Sequence, residues 1–282
     1  MRTNWVWRIR KSLKKTSKDW LHDSWNEDRI IVSSSFAIVI DGATPLIKTS
    51  KINYANYLVK HIKNNINKVN GDVSKRLEFL ARDVADKLDL RSTEASKLPS
   101  ASLSYFEIKD DIVHIGILGD CEAVVRFKDG SLKRYYDDRL SHFDSEVIKE
   151  RKMMCLKHGC KMDNVRQYIL PHLIENRNKA NKDDGYYALV ASKDYEYKEI
   201  GFDIDIKDVE EIYLYSDGYS SIFTTFDIYK DYVDAFKNDI DVKTEIAKIV
   251  DIAYKDKHTD KYPRLKTIDD ISLLKARFDN IE

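Results

Sequence analysis

Proline and glycine are scarce in this sequence, which has 4 prolines and 9 glycines among 282 residues. Linkers between domains are commonly rich in these residues or in serine. No such segment divides the chain, and no internal repeat or low-complexity tract is present. We therefore predict one domain that spans residues 1–282.

Disulfides, excess charge and long apolar runs are also lacking. Three cysteines do not make a disulfide framework, which favours a reducing compartment. Lys+Arg and Asp+Glu each total 48, whereas a protein that binds nucleic acid through phosphate contacts has a basic excess. No apolar run approaches the ~18 residues of a membrane-spanning helix, and the basic N-terminus lacks the apolar core of a signal peptide. We expect a cytoplasmic monomer with no nucleic-acid partner and no stable membrane insertion.

What the sequence does contain is an irregular succession of strand and helix patterns. Strands alternate with helices too unevenly for a doubly wound parallel sheet, so the pattern favours a layered α+β fold. The predicted strands are residues 5–9, 29–40, four within 101–136, 186–191, 209–215 and 271–278, and the predicted helices are 52–69, 73–88, an irregular stretch over 142–181, 220–236 and 242–254.

Asp-Gly pairs occur four times in the sequence. Asp129–Gly130 lies between two alternating strands and is explained as a hairpin turn, and Asp184–Gly185 lies in a polar loop. The other two pairs differ because each ends an apolar strand, in "FAIVIDG" at Asp41 and in "IYLYSDG" at Asp217. A charge at the end of a buried strand is costly unless something compensates it.

Further acids lie at comparable places. Asp120 ends a strand, Glu27 and Asp28 precede another, and Asp269 and Asp270 begin the last one. For any single acid, capping of a helix or a turn is the simpler interpretation. For this many strand ends together, convergence around a hard divalent cation such as Mg²⁺ or Mn²⁺ is the better one.

The ordered set of these motifs resembles the metal-dependent protein phosphatases, the PPM or type 2C serine/threonine family, as a divergent bacterial-type member. The resemblance covers nearly the whole chain in the expected order. The matching segments are "NED" (26–28), "FAIVIDG" (36–42), "PSASL" (99–103), "LGDCEAVVRFKDGSL" (118–132), "LYSDGYSSIF" (214–223) and "DDISLL" (269–274).

The resemblance implies a four-layer αββα sandwich, in which two antiparallel β-sheets pack face to face between helices. It also implies two Mn²⁺ or Mg²⁺ ions held between the sheets. Asp41 would bridge both ions, and the carbonyl of Gly42 would bind one of them. Asp217 and Asp269 would hold the first ion.

The remaining implied ligands are Glu27 with Asp28, which would orient the second ion, and Asp120, which would form a weaker third site beside Asp217. Two close metal ions lower the pKa of a bridging water and neutralise the phosphoryl oxygens. Catalysis would therefore rest on Asp41 and Asp217 through metal-bound water, without a protein nucleophile.

Three positions depart from the family pattern. Residues 43–45 read Ala-Thr-Pro, where many members have His-Gly-Gly or Met-Gly-Gly. The phosphate-binding arginine of the family aligns near Asp23, and the arginine of its Gly-Asp-Ser-Arg motif is Glu122 here. These changes leave the metal residues in place and alter the half of the site that recognises the substrate.

Residues 143–187 fall where the family has its variable flap. Their basic residues either grip a phosphoprotein or form a solvated helical face. The residues are Lys149, Arg151, Lys152, Lys157, Lys161, Arg166 and Arg177.

The sequence thus favours a metal-dependent phosphatase that acts on phosphoserine or phosphothreonine in proteins, with a kinase-linked signalling partner. Two alternatives stay open. One is a catalytically inactive relative that binds a partner or a phosphoprotein, and the other is a phosphatase for a small phosphoester.

Overall fold

The fold is described from a computed structural model of the chain, which covers residues 5–14, 26–47, 52–159 and 165–280. The predicted fold class is confirmed: two antiparallel β-sheets lie face to face, and helices cover their outer surfaces. The strands are β1 (Trp5–Lys14), β2 (Asp28–Val32), β3 (Phe36–Ala43), β4 (Ser100–Lys109), β5 (Ile112–Leu118), β6 (Glu122–Phe127), β7 (Leu132–Tyr135), β8 (Leu189–Val190), β9 (Ile200–Asp205), β10 (Val209–Tyr215) and β11 (Ile271–Asn280). The helices are α1 (Tyr54–Asn65), α2 (Val73–Lys87), α3 (Arg139–His158), α4 (Arg166–Arg177), α5 (Asp217–Thr224), α6 (Tyr232–Phe236) and α7 (Val242–Lys255).

One sheet has the strand order β1-β11-β10-β6-β7, and the other has the order β2-β3-β4-β5-β9, with β8 paired to β4. All strand pairs are antiparallel. In such a sheet, the end of each strand lies beside the start of its neighbour. The end of β3 consequently lies beside the start of β2, and the end of β10 lies beside the start of β11.

The strand β3 shows why both of its faces are apolar. Ala37 and Val39 point into the layer between the sheets, whereas Phe36, Ile38 and Ile40 point toward α1 and α2. All five side chains are almost completely buried. A strand in the middle of a covered sheet has no solvated face, so the near-continuous apolar run follows from its position.

Three clusters of buried side chains separate the four layers. The central cluster joins the inner faces of both sheets and includes Val39, Phe106, Val125 and Leu214. A second cluster lies between the sheet of β3 and helices α1 and α2. The third lies between the sheet of β10 and helices α5, α6 and α7. No helix among the described residues is long and apolar enough to cross a membrane.

The predicted meander over 101–136 is confirmed as β4 to β7, with Asp129–Gly130 in the last hairpin turn. The prediction of a strand over 186–191 is wrong in length, because only Leu189–Val190 pairs with β4. The Asn181 side chain bonds both backbone groups of Ala188, at 3.0 and 2.8 Å, and takes the place of further strand pairing there.

The prediction of one helix over 220–236 is also wrong, since α5 and α6 are separate. Helix α5 ends at Thr224, where Thr225 leaves helical geometry, and the backbone of Asp227 then adopts a left-handed conformation with φ 52°. The Asp231 carboxylate then accepts a hydrogen bond from the amide of Asp234 at 2.9 Å and caps α6. Strand β9 was not predicted, although Ile200, Phe202 and Ile204 alternate toward the central cluster.

A polar cluster ties β5 to β9 on the helix-covered face of the sheet. The hydroxyls of Tyr105 and Tyr197 each donate to Glu199 Oε2 at 2.8 Å. The ring nitrogens of His114 lie 3.0 Å from Glu199 Oε1 and 2.7 Å from Asp203 Oδ1. The hydrogen bond with Glu199, opposed by desolvation and reinforced by Asp203, raises the pKa of His114 to about 9.

This cluster predicts a pH-dependent contribution to stability. Protonated His114 stabilises the folded state fully below its unfolded-state pKa of about 6.5, and the contribution is lost as the pH rises toward 9. Since the side chain is 30% exposed, we expect about 1 kcal/mol. His114→Gln should flatten the fall in the free energy of unfolding between pH 6.5 and 9, measured by urea titration. His142→Gln, which removes a 72% exposed imidazole, is the control and should follow the wild-type profile.

Candidate metal centre

Two acids from one sheet stand directly opposite each other. Asp28 at the start of β2 is the cross-strand partner of Asp41 near the end of β3. The side chain of Asp28 is fully buried, and Asp41 is half-buried. Because the apolar strands β2 and β3 pair antiparallel, the two carboxylates come to the same end of the sheet.

The second sheet brings its acids to the same place. Asp217 follows β10 as the first residue of α5, and Asp269 lies just before β11, which pairs with β10. Asp217 and Asp41 approach closely enough for their carboxyl groups to share a hydrogen bond. Asp120 joins them from the turn between β5 and β6, where Gly119 has φ +71° and Ser102 hydrogen-bonds Asp120.

Ser216 connects the two sheets at this point. Its hydroxyl donates to Asp28 Oδ2 at 3.0 Å and accepts from the amide of Ser272 at 3.0 Å. All three side chains are fully buried. The serine therefore fixes the orientation of Asp28 relative to the start of β11.

The acids oppose one another's ionisation. Burial, followed by the charge of Asp270, raises the pKa of Asp28 to about 7. Burial raises the pKa of Asp41 well above its ordinary value, and the charges of Asp28 and Asp217 add to the effect. The pKa of Asp217 is raised in the same way by burial and by Asp269, and burial also raises that of Asp120. A positive charge among these groups relieves the repulsion.

Three oxygens of the cluster are buried and lack a hydrogen-bond partner: Asp28 Oδ1, Asp120 Oδ1 and Asp217 Oδ1. A buried carboxylate oxygen without a partner is costly. Within the described ranges, no three His, Cys, Asp or Glu side chains are arranged as a complete metal-binding group. The residues nevertheless suit hard divalent cations, because such ions take carboxylate and carbonyl oxygens and would give these orphaned atoms partners.

Solved structures of known proteins share this architecture. Staphylococcus aureus serine/threonine phosphatase Stp1 is 11% identical, matches 99% of this chain and 98% of its own, and has a TM-score of 0.56. PppA, a regulatory component of the type VI secretion system in Pseudomonas aeruginosa, is 13% identical, with coverages of 98% and 100% and a TM-score of 0.55. Mycobacterium tuberculosis PstP is 13% identical, with coverages of 96% and 98% and a TM-score of 0.53.

The chain has the PPM phosphatase fold. A structure of the catalytic domain of PstP, 14% identical over 98% of this chain and 100% of its own at a TM-score of 0.52, holds two manganese ions. No protein-family model matches the sequence, and no curated protein matches it either. At these identities the likeness establishes the fold, and the roles of individual residues stay predictions.

Glu27 and Gly42 lie beside the acid cluster of this PPM fold. The Gly42 amide donates to the Glu27 carbonyl at 3.2 Å, and the Glu27 amide donates to Asp270 Oδ2 at 2.8 Å. The Glu27 carboxylate accepts hydrogen bonds from Thr44 at 2.5 Å and from Asn53 at 2.8 Å. Thr44 belongs to the Ala-Thr-Pro departure, so this departure orients one of the predicted metal ligands.

The predicted site residues are thus all at one end of the sandwich: Glu27, Asp28, Asp41, Gly42, Asp120, Asp217 and Asp269. Asp270 is a further strand-end acid, for which the sequence predicts no metal role. Its contacts with the Glu27 amide and the charge of Asp28 place it in the same cluster. Ser102 and Ser216 were not predicted, because no sequence signal marks a serine that bonds an acid elsewhere in the chain, 18 residues away for Ser102 and 188 residues away for Ser216.

Two arginine positions of the family pattern differ here. Asp23, which aligns near the phosphate-binding arginine, lies outside the described residues. Glu122 accepts two hydrogen bonds from Arg134, at 2.6 and 2.5 Å, and one from Tyr215 at 2.8 Å, so its role is structural. The guanidinium of Arg29 lies near the acids but donates to two backbone carbonyls and to Asn56 at 2.5–2.6 Å.

The predicted flap contains the helices α3 and α4, which pack against each other. Lys149, Lys152 and Lys157 are exposed, as the solvated-face interpretation expects. Arg151 is different, because it is buried and donates to the carbonyl of Arg264. Arg177 donates to Ser100 at 3.1 Å. Lys161 lies outside the described residues, and the Arg166 side chain is likewise not described.

Proposed function

We propose that this chain is a divergent bacterial PPM phosphatase that hydrolyses phosphoserine and phosphothreonine in proteins with the help of divalent metal ions. The observation that carries the proposal is the set of buried Asp oxygens that meet without hydrogen-bond partners at one end of the sandwich. The fold shared with serine/threonine phosphatases supports it, and so do the two manganese ions of PstP.

The residues that would hold the ions are Asp41, the carbonyl of Gly42, Asp217, Asp269, Glu27, Asp28 and Asp120. Two divalent ions, Mn²⁺ or Mg²⁺, would neutralise the phosphoryl oxygens and lower the pKa of the attacking water.

The protein's own contribution is to position these oxygens before the substrate arrives. Ser216 fixes Asp28, and Thr44 and Asn53 fix Glu27. The oxygens are held by the ends of rigid strands of both sheets, so binding requires little reorganisation. The attacking nucleophile would be water, and the proposal includes no serine, cysteine or histidine nucleophile.

The test is hydrolysis of p-nitrophenyl phosphate and of a phosphothreonine peptide, with Mn²⁺ and with EDTA. We expect turnover of both substrates that depends on the metal, because the acid cluster repels a phosphate dianion when it carries no metal charge. If metal stimulates the turnover of neither substrate, the proposal is refuted.

The same experiment separates two alternative functions. The first is a non-catalytic module that binds a phosphoprotein, which is favoured by Glu122 in place of an arginine and by the pairing of Lys266 with Asp269. Such a module would bind the peptide without turnover. A phosphatase for a small phosphoester would hydrolyse the aryl phosphate and leave the peptide intact.

A further inference from the structure

Lys266 borders the acid cluster, although no sequence motif singled it out. Its ammonium is 2.7 Å from both Oδ1 and Oδ2 of Asp269. The Lys266 side chain is 63% exposed and that of Asp269 is 25% exposed. The cation therefore stands at the mouth of the site and occupies both oxygens of a predicted metal ligand.

The charge of Lys266 acts on more than its direct partner. It lowers the pKa of Asp217 and of Asp120 against the effect of their burial. The negative charges of Asp269, Asp41 and Asp217 favour the charged form of Lys266. The ammonium is thus a shared counter-charge for the cluster.

The backbone that carries Lys266 is fixed by Arg264. The Arg264 guanidinium donates to the carbonyl of Thr267 at 2.9 Å, to the carboxylate of Asp256 at 2.7 Å and to the carbonyl of Ala253 at 3.2 Å. Its own carbonyl accepts from Arg151 of α3. These contacts hold the backbone in place, whereas the exposed four-carbon side chain of Lys266 has room to change its conformation.

We propose that Lys266 is a tethered counter-cation of Asp269, which yields this carboxylate to a divalent ion and then binds the phosphoryl group of the substrate. The inference rests on the proposed function, because it assigns a role at the same site. A divalent ion at Asp269 repels the nearby ammonium, which has open solvent on its other side. A phosphate dianion at the mouth offers it a new partner.

Charge at the site supports this assignment. The cluster contains more carboxylates than two divalent ions neutralise, so a dianionic substrate still meets negative charge when two ions are bound. A lysine at the mouth reduces that repulsion. It also supplies a phosphate-binding cation in a chain whose sequence has Asp23 near the position of the family's phosphate-binding arginine.

The first measurement is calorimetric titration of the whole protein with Mn²⁺ at constant pH. Lys266→Met removes the competing cation, and we expect about three- to tenfold tighter Mn²⁺ binding than in the wild type. Lys261→Met is the matched control, because Lys261 is exposed on the same segment and contacts Tyr262 rather than the acids. Unchanged or weaker binding in Lys266→Met overturns the competition with metal.

The second measurement is binding of inorganic phosphate to the protein saturated with Mg²⁺. We expect Lys266→Met to bind phosphate about tenfold more weakly, whereas Lys266→Arg and Lys261→Met should stay near the wild type. Equal phosphate affinity in Lys266→Met overturns the phosphate-binding role. If the wild type binds no divalent ion, the proposed function itself fails. If it binds and turns over substrate but Lys266→Met behaves as the wild type, only this inference fails.

Discussion

Asp41→Asn should abolish metal-dependent phosphatase activity while it stabilises the protein in the absence of metal. Asp41 is the acid whose charge is opposed by four others, Asp28, Asp217, Asp269 and Asp120. An amide cannot replace a carboxylate in the proposed role of bridging two cations, so we expect a loss of at least about 10³-fold in kcat/KM. Removal of one charge from this repelling cluster should raise the free energy of unfolding in EDTA by about 1–2 kcal/mol.

The two effects are measured separately, by phosphopeptide hydrolysis with Mn²⁺ and by urea unfolding with EDTA. Asp129→Asn is the matched control, because Asp129 also precedes a glycine but lies in the exposed hairpin turn between β6 and β7. It should change neither activity nor stability by much, since Asn-Gly also suits a hairpin turn. Retained activity in Asp41→Asn would show that the cluster is not the catalytic centre.

The layered fold was predictable from the sequence because its strands are short, apolar and separated by clear turn signals. The run "FAIVI" before Asp41 is buried on both faces, as its lack of alternation indicates. Strand β9 was missed although "IGFDID" alternates with period two, since Gly201 and three acids nearby suggest a loop. The break between α5 and α6 begins at Thr225 and includes Asp227 with positive φ, neither of which periodicity reveals.

The acid cluster was predictable for a different reason. A carboxylate at the end of a buried strand is an informative signal, because burying its charge is costly unless something compensates it. Antiparallel pairing then brings such strand ends together. Lys266 was not predictable, because it lies three residues before Asp269 in a segment with no regular structure. Its place is set by the contacts of Arg264, and a sequence of one chain carries no sign of such contacts.

Gly218 follows Asp217 in the first turn of α5, at a position where a side chain would not fit. A Cβ atom at this position would lie 2.0 Å from the carbonyl oxygen of Asp270 and 3.3 Å from the Cα of Ile271. Both atoms are backbone, so no side-chain rotation relieves the contact. The close approach of α5 to the start of β11 is what brings Asp217 and Asp269 together.

Gly218→Ala should therefore disrupt the fold and the site at once. We expect a loss of about 3 kcal/mol in the free energy of unfolding, measured by urea titration, because α5 must move away from β11. Mn²⁺ binding should weaken by at least about tenfold, since Asp217 moves with the helix. Gly130→Ala is the control: its Cβ meets open space at φ +84°, so only about 1 kcal/mol of backbone strain is expected, with unchanged metal binding. If the two variants are equally stable, the contact between α5 and Asp270 does not hold the two acids together.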